Sequence, residues 1–146
     1  MAVEPSLRQA RRWQRAENAL IAAGIVVAMI ASGQPWWLLP AAFLVFDVSA
    51  LGYLAGKRIG AVSYNLVHNY TAPGALVTGW AGLRLADIDA EWLLLLAACW
   101  GFHVALDRAL GYGLKLGPFT HTHLGVIGKE RGTETPHAGG EVPTQR

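Results

Sequence analysis

Four stretches of this chain stay apolar for 15 to 22 residues at a time, and that constrains its fold more than any other feature. They run from about Asn18 to Ser32, from Trp36 to Ala55 ("WWLLPAAFLVFDVSALGYLA"), from Ile59 to Trp80 ("IGAVSYNLVHNYTAPGALVTGW") and from about Glu91 to Tyr112. A helix rises about 1.5 Å per residue, so about 20 residues cross the roughly 30 Å hydrocarbon core of a bilayer. Only 15% of the 146 residues are charged, against about 25% in a soluble domain. Trp13, Trp36, Trp37, Trp80 and Trp92 fall at segment ends, where an aromatic belt belongs. Pro40 and Pro73 lie inside segments, which membrane helices tolerate. The expected fold is all-α, a four-transmembrane-helix bundle.

Lys and Arg set the expected orientation. Arg8, Arg11, Arg12 and Arg15 precede the first segment, and Lys57 and Arg58 join the second to the third. Arg108, Lys115, Lys129, Arg131 and Arg146 belong to the end of the fourth segment and the tail. With four crossings, eleven of the twelve basic residues share one side and only Arg84 lies opposite. The positive-inside rule then places both termini in the cytoplasm. No small-residue cleavage site leads into a soluble chain, so the first segment reads as a retained anchor. Residues 1–16 read as a basic cytoplasmic segment forming a short interfacial helix against anionic lipid, not as a nucleic-acid site. Residues 17–128 form the membrane domain with its C-terminal loop. The polar, Gly/Pro/Thr-rich residues 129–146 read as a disordered tail. Cys99, the one cysteine, excludes an internal disulfide and a cysteine-based zinc site.

This topology gives each buried polar residue a depth. Asp47 lies eight residues before the cytoplasmic end of its segment, His68 nine past the start of its own, and His103 nine before the end of the last. All three arrive on the order of 12–14 Å below the cytoplasmic face. Asp107 sits one turn closer to that face and stacks with His103 at i, i+4 spacing. Asn65 and Asn69 flank His68, and Glu17 enters the first segment at the same end. Each ionisable group costs at least a few kcal/mol in the bilayer unless it is paired or faces the bundle interior. One shared site satisfies all of them.

Imidazole and carboxylate suit a divalent metal, zinc, iron or manganese, with Asp47, His68 and His103 as core ligands. Such a metal activates water near neutral pH. Metal-assisted hydrolysis of a lipid-soluble ester or phosphate is the natural chemistry, with Asp107 and Glu17 as catalytic, proton-transfer candidates. "GPFTHTHLG" adds His121 and His123; residues two apart in an extended segment point the same way, so both are further ligand candidates. Tyr53, Tyr64 and Tyr112 read as belt residues. The alternatives are a proton-coupled small transporter, in which Asp and His relay protons, or a structural membrane protein that uses the cluster as interhelical glue. Haem ligated by His68 and His103 ranks last, because Asp47 and Asp107 put negative charge beside a porphyrin. The partners expected are the bilayer and a lipid-soluble substrate, and a homo-oligomer stays open.

The order of Glu17 at the first segment, Asp47 followed by "LGY", then "YNLVH", "HVALDR", "GYGLK" and "THLG" resembles a family of small bacterial membrane proteins, domain of unknown function 4260. The resemblance spans about Glu17 to Gly128. It implies a multi-pass protein of the bacterial inner (plasma) membrane with a common site, and no particular reaction. The chain departs from the family at Phe46, where a Pro often precedes the Asp. More loosely, the Asp and His placement is similar to membrane-bound metal-dependent hydrolases, without their "HR…TH" run.

The expected topology has a direct readout. A cysteine replacing Asp87 is labelled by a membrane-impermeant maleimide in intact cells, and one replacing Lys57 only after permeabilisation. The opposite pattern inverts the orientation.

Overall fold

The computed structural model describes residues 3–127; the expected tail, 129–146, lies outside the described residues. Helix α1 spans Val3–Ala31, α2 Leu38–Ala41 and α3 Phe43–Asp47. A 3-10 helix follows over Val48–Ala55, then α4 over Lys57–Val67, α5 over Thr71–Leu85 and α6 over Glu91–Leu110. A two-residue antiparallel hairpin, β1 (His121–Thr122) with β2 (Gly125–Val126), closes the described chain. Three helical stretches are long and apolar enough to cross a membrane: Ser6–Ala31, Leu38–Ala55 and Glu91–Leu110.

The basic N-terminal segment is not a separate interfacial helix. It runs unbroken into the first apolar segment as one 29-residue helix, because no Gly or Pro interrupts Ser6 to Ala23. The second segment is broken where a continuous helix was expected. α2 is four residues long and carries Pro40 in its first turn. A 3-10 helix of eight residues then carries the chain to Gly56, well beyond the usual three or four. Gly56 turns with φ 117°, a conformation open to glycine.

The third segment is two helices, α4 and α5, separated at His68–Tyr70. A helix end leaves four carbonyls without partners, and in an apolar bundle each one is costly. Here all four are satisfied. The Tyr64 carbonyl accepts from the His68 backbone N–H at 2.8 Å. Asn69 Nδ2 donates to Asn65 O at 2.7 Å and Leu66 O at 2.9 Å, and Trp100 Nε1 to Val67 O at 2.7 Å. Asn69 Oδ1 then accepts from Thr71 N at 2.7 Å, opening α5. Pro73 falls in the first turn of α5, where its missing N–H costs nothing.

α1 and α5 flank α6, α2 and α3 lie against α6, and the 3-10 helix packs on α4. That last contact is tight. A Cβ on Gly60 would collide with the Tyr53 ring, and one on Gly52 with Ser63 Oγ. Met29, Leu39 and Cys99 form a buried apolar core with Ile25, Phe46 and Phe102 around it. Outside it, large apolar side chains such as Leu20, Val27, Leu44, Leu54 and Leu66 are exposed, a surface that suits lipid rather than water.

Replacing Asn69 with Ala strips partners from two carbonyls and one N–H at the break. We expect Asn69→Ala to destabilise the protein by about 2–3 kcal/mol, read as a lower melting temperature in detergent. An unchanged melting temperature would show that Asn69 does not hold the break.

Candidate metal centre

The helix break, the α3 terminus and the middle of α6 meet at one point. Asp47 ends α3, His68 stands at the break, and α6 contributes His103 and, one turn on, Asp107. One ligand atom from each of the four lies within 4.8 Å of the other three. His103 Nε2 is 2.9 Å from His68 Nε2. Asp47 Oδ1 lies 3.4 Å from His68 Nε2 and 3.7 Å from His103 Nε2; Asp107 Oδ2 lies at 3.6 and 3.9 Å from the same atoms. Four ligands held tetrahedrally at about 2.0–2.2 Å from a zinc-like ion stand about 3.3–3.6 Å apart, a spacing that the cluster's 2.9–3.9 Å separations bracket. The His103, His68 and Asp107 side chains are 0, 3 and 12% exposed, and Asp47 is 40% exposed. The cluster therefore has three walls and one reachable edge.

The surrounding groups orient these atoms. His68 Nδ1 is 3.0 Å from the Tyr64 carbonyl. A carbonyl only accepts, so Nδ1 carries the proton and Nε2 presents its lone pair to the cluster. Ser49 Oγ also approaches Nδ1, at 3.4 Å. The Tyr64 ring stacks on His68 with centroids 3.5 Å apart, and its hydroxyl donates to Asp107 Oδ2 at 3.0 Å. Phe43 and Phe46 pack against the His103 ring. His68 and Asp107 thus carry outer hydrogen bonds of the kind that orient metal ligands, whereas His103 Nδ1 is buried with no hydrogen-bond partner among the described residues.

The segment after α6 folds back over α4. α6 ends at Gly111, whose φ of 100° suits the left-handed cap. Lys115 N then donates to Asn65 Oδ1 at 2.6 Å, while Asn65 Nδ2 donates to Lys115 O at 2.8 Å. Tyr53 Oη donates to Gly117 O at 3.1 Å. The Lys115 ammonium is buried without a hydrogen-bond partner, 4.5 Å above the Tyr64 ring and 3.9 Å above that of Phe119.

The structure thus brings together Asp47, His68, His103 and Asp107 and leaves three expected residues apart. Glu17 is exposed on α1, outside the cluster. His121 and His123 are both exposed and do not converge. β1 lasts two residues and the chain reverses at His123, so the alternation that would align them is lost. His123 Nδ1 is already engaged, accepting from Leu114 N at 2.8 Å. Tyr64, read from sequence as a belt residue, is buried against the cluster, and its i, i+4 spacing to His68 was the available signal. Lys115 carried no such signal.

Fold and site together define a class: an apolar helical protein with helices of membrane length and a buried cluster of two histidines and two aspartates able to hold a metal. The chain belongs to the family described as a domain of unknown function, DUF4260, which matches residues 11–127. No curated protein and no solved structure matches it.

Burial pushes Lys115 down from 10.5 to about 8, against the pull of Asp107 and Asp47. Between pH 8 and 10.5 the unfolded chain therefore holds more protons than the folded one, and stability rises with pH across that window. We expect Lys115→Met to be the more stable protein below pH 8, with the gap to wild type narrowing towards pH 10.5 in thermal melts. A pH-independent gap would contradict this account of the buried amine.

Proposed function

We propose that this is a four-span membrane protein with both termini cytoplasmic, and that it binds a divalent metal through Asp47, His68 and His103, with Asp107 beside it. α4 and α5 together make the third crossing, with the break at His68 inside the membrane domain. The observation that carries the metal reading is the approach of the four ligand atoms to within 4.8 Å of one another in a largely buried setting. Two carboxylates balance a divalent charge, and two imidazoles with one or two carboxylates suit zinc, iron or manganese. A metal held there supplies Lewis acidity and lowers the pKa of water.

The chemistry this arrangement supports best is metal-dependent hydrolysis of a lipid-soluble ester or phosphate. His68 is locked in the tautomer that offers Nε2. Asp47, the reachable member, marks the side from which substrate and water approach. Were Asp47, His68 and His103 to hold the metal, a position would stay open for water, and Asp107, whose Oδ2 accepts from the Tyr64 hydroxyl at 3.0 Å, would be the residue placed to take up a proton. Glu17, exposed and outside the cluster, has no part in this scheme.

Elemental analysis of detergent-purified protein, prepared without chelators, tests the reading. Wild type is expected to carry close to one equivalent of metal, and His68→Ala and His103→Ala at least tenfold less while still inserting. Full occupancy in both variants overturns the ligand assignment. A metal-free wild type removes the hydrolase and hands the hydrogen-bonded His68–His103 pair to proton relay.

A further inference from the structure

A second feature lies between α1, α5 and α6. An apolar groove of about 390 Å³ runs between α1 and α5, floored by α6 and lined by Ile21, Ile25, Pro73, Val77, Leu94 and Ala98 among others. Its lining runs from Ile21 past the end of α1 to Ser32, and along α6 from Gly101 to Glu91, so the groove extends about 16 Å by helix rise, away from Arg15 and Arg108 and towards the opposite end of the bundle.

The end nearest Ile21 carries a polar crown. Arg15 Nε donates to Ala109 O at 2.9 Å, fixing the Arg15 guanidinium at the C-terminal end of α6. The Arg108 guanidinium lies 4.8 Å above the Tyr70 ring, and its Nε is buried without a hydrogen-bond partner. Tyr70, which lines the groove, donates its hydroxyl to the buried Asn18. Arg8, Arg11 and Arg12 continue the positive charge along α1. Among the described residues none of these arginines forms an ion pair with a carboxylate. Positive charge without a carboxylate partner, at one end of an apolar slot about 16 Å long, has the chemical shape of an anionic phospholipid, a phosphate followed by an extended acyl chain.

We propose that crown and groove bind one anionic phospholipid, its phosphate between Arg15 and Arg108 and one acyl chain along the groove. The proposal rests on the membrane reading above and not on the metal. The site lies on the α1/α5 side of α6, whereas Asp47 and His68 reach the metal cluster from α3 and the α4–α5 break.

Native mass spectrometry in detergent tests it, with phosphatidylglycerol and phosphatidylcholine of identical chains as probes. Wild type is expected to retain phosphatidylglycerol at least tenfold better than phosphatidylcholine. Arg108→Gln should lose that preference. Gly74→Phe should retain neither lipid, since Gly74 lines the groove and a Cβ there meets nothing within 4 Å. Metal content, measured in parallel, should be unchanged in Gly74→Phe, which separates this site from the metal centre. Equal retention of the two lipids by wild type overturns the proposal, as does wild-type retention by Gly74→Phe. A wild-type dimer that Gly74→Phe converts to a lipid-free monomer also overturns it, in favour of a second copy filling the groove.

Discussion

Ionisable groups in an apolar bundle must answer to one another, and the middle of this molecule is arranged around that requirement. His103 is fully buried and His68 nearly so, with their Nε2 atoms 2.9 Å apart and a carboxylate on either side. Separately, each would carry an uncompensated desolvation cost. Together they exchange hydrogen bonds and charge, and the surrounding structure serves to bring them together. The two carboxylates come from different elements: Asp107 sits on α6 and Asp47 at the last residue of α3. Loss of one member leaves the others buried and short of a partner, which costs more than the contact itself was worth.

The helix break at His68 follows from the same demand. A straight helix through Tyr64, His68 and Thr71 would commit every backbone group to its own ladder. Ending α4 at Val67 frees the last carbonyls, and the chain meets that cost with Asn69, Trp100 and the backbone N–H of His68. The Tyr64 carbonyl also receives His68 Nδ1, so one group both terminates a helix and selects a tautomer. Structure made irregular in an apolar setting survives only where such substitutes exist. Here they coincide with the site.

Much of this was written in the spacing of residues. Helical rise placed Asp47, His68 and His103 at one level and put Asp107 one turn from His103, and those four residues do meet. The break was harder to see. "VHNYTAP" holds the signals, an Asn followed four residues later by a Pro, but an apolar background makes Asn69 look like one more polar residue on a continuous helix. Reading His121 and His123 as a convergent pair assumed a longer strand, and a turn at His123 undoes the alternation within two residues. Lys115 and Asn65 were beyond any local pattern, since their pairing spans fifty positions and is set by how the loop folds back. Local periodicity carries depth and facing; long-range hydrogen bonds carry closure.

That pairing also has a consequence for biogenesis. Asn65 is synthesised long before Lys115, and His68 before His103. With chain growth at about 5–20 residues per second, the first half of the cluster waits several seconds for its second half. During that interval Asp47 and His68 lack the His103 and Asp107 that α6 brings, beside a 3-10 helix that is uncommonly long. On the four-span reading proposed above, the last segment completes more than a count of crossings: its arrival brings the second half of the cluster to the first. An insertion machinery that shelters the first three segments until the last one docks would suit this chain better than one that releases each in turn.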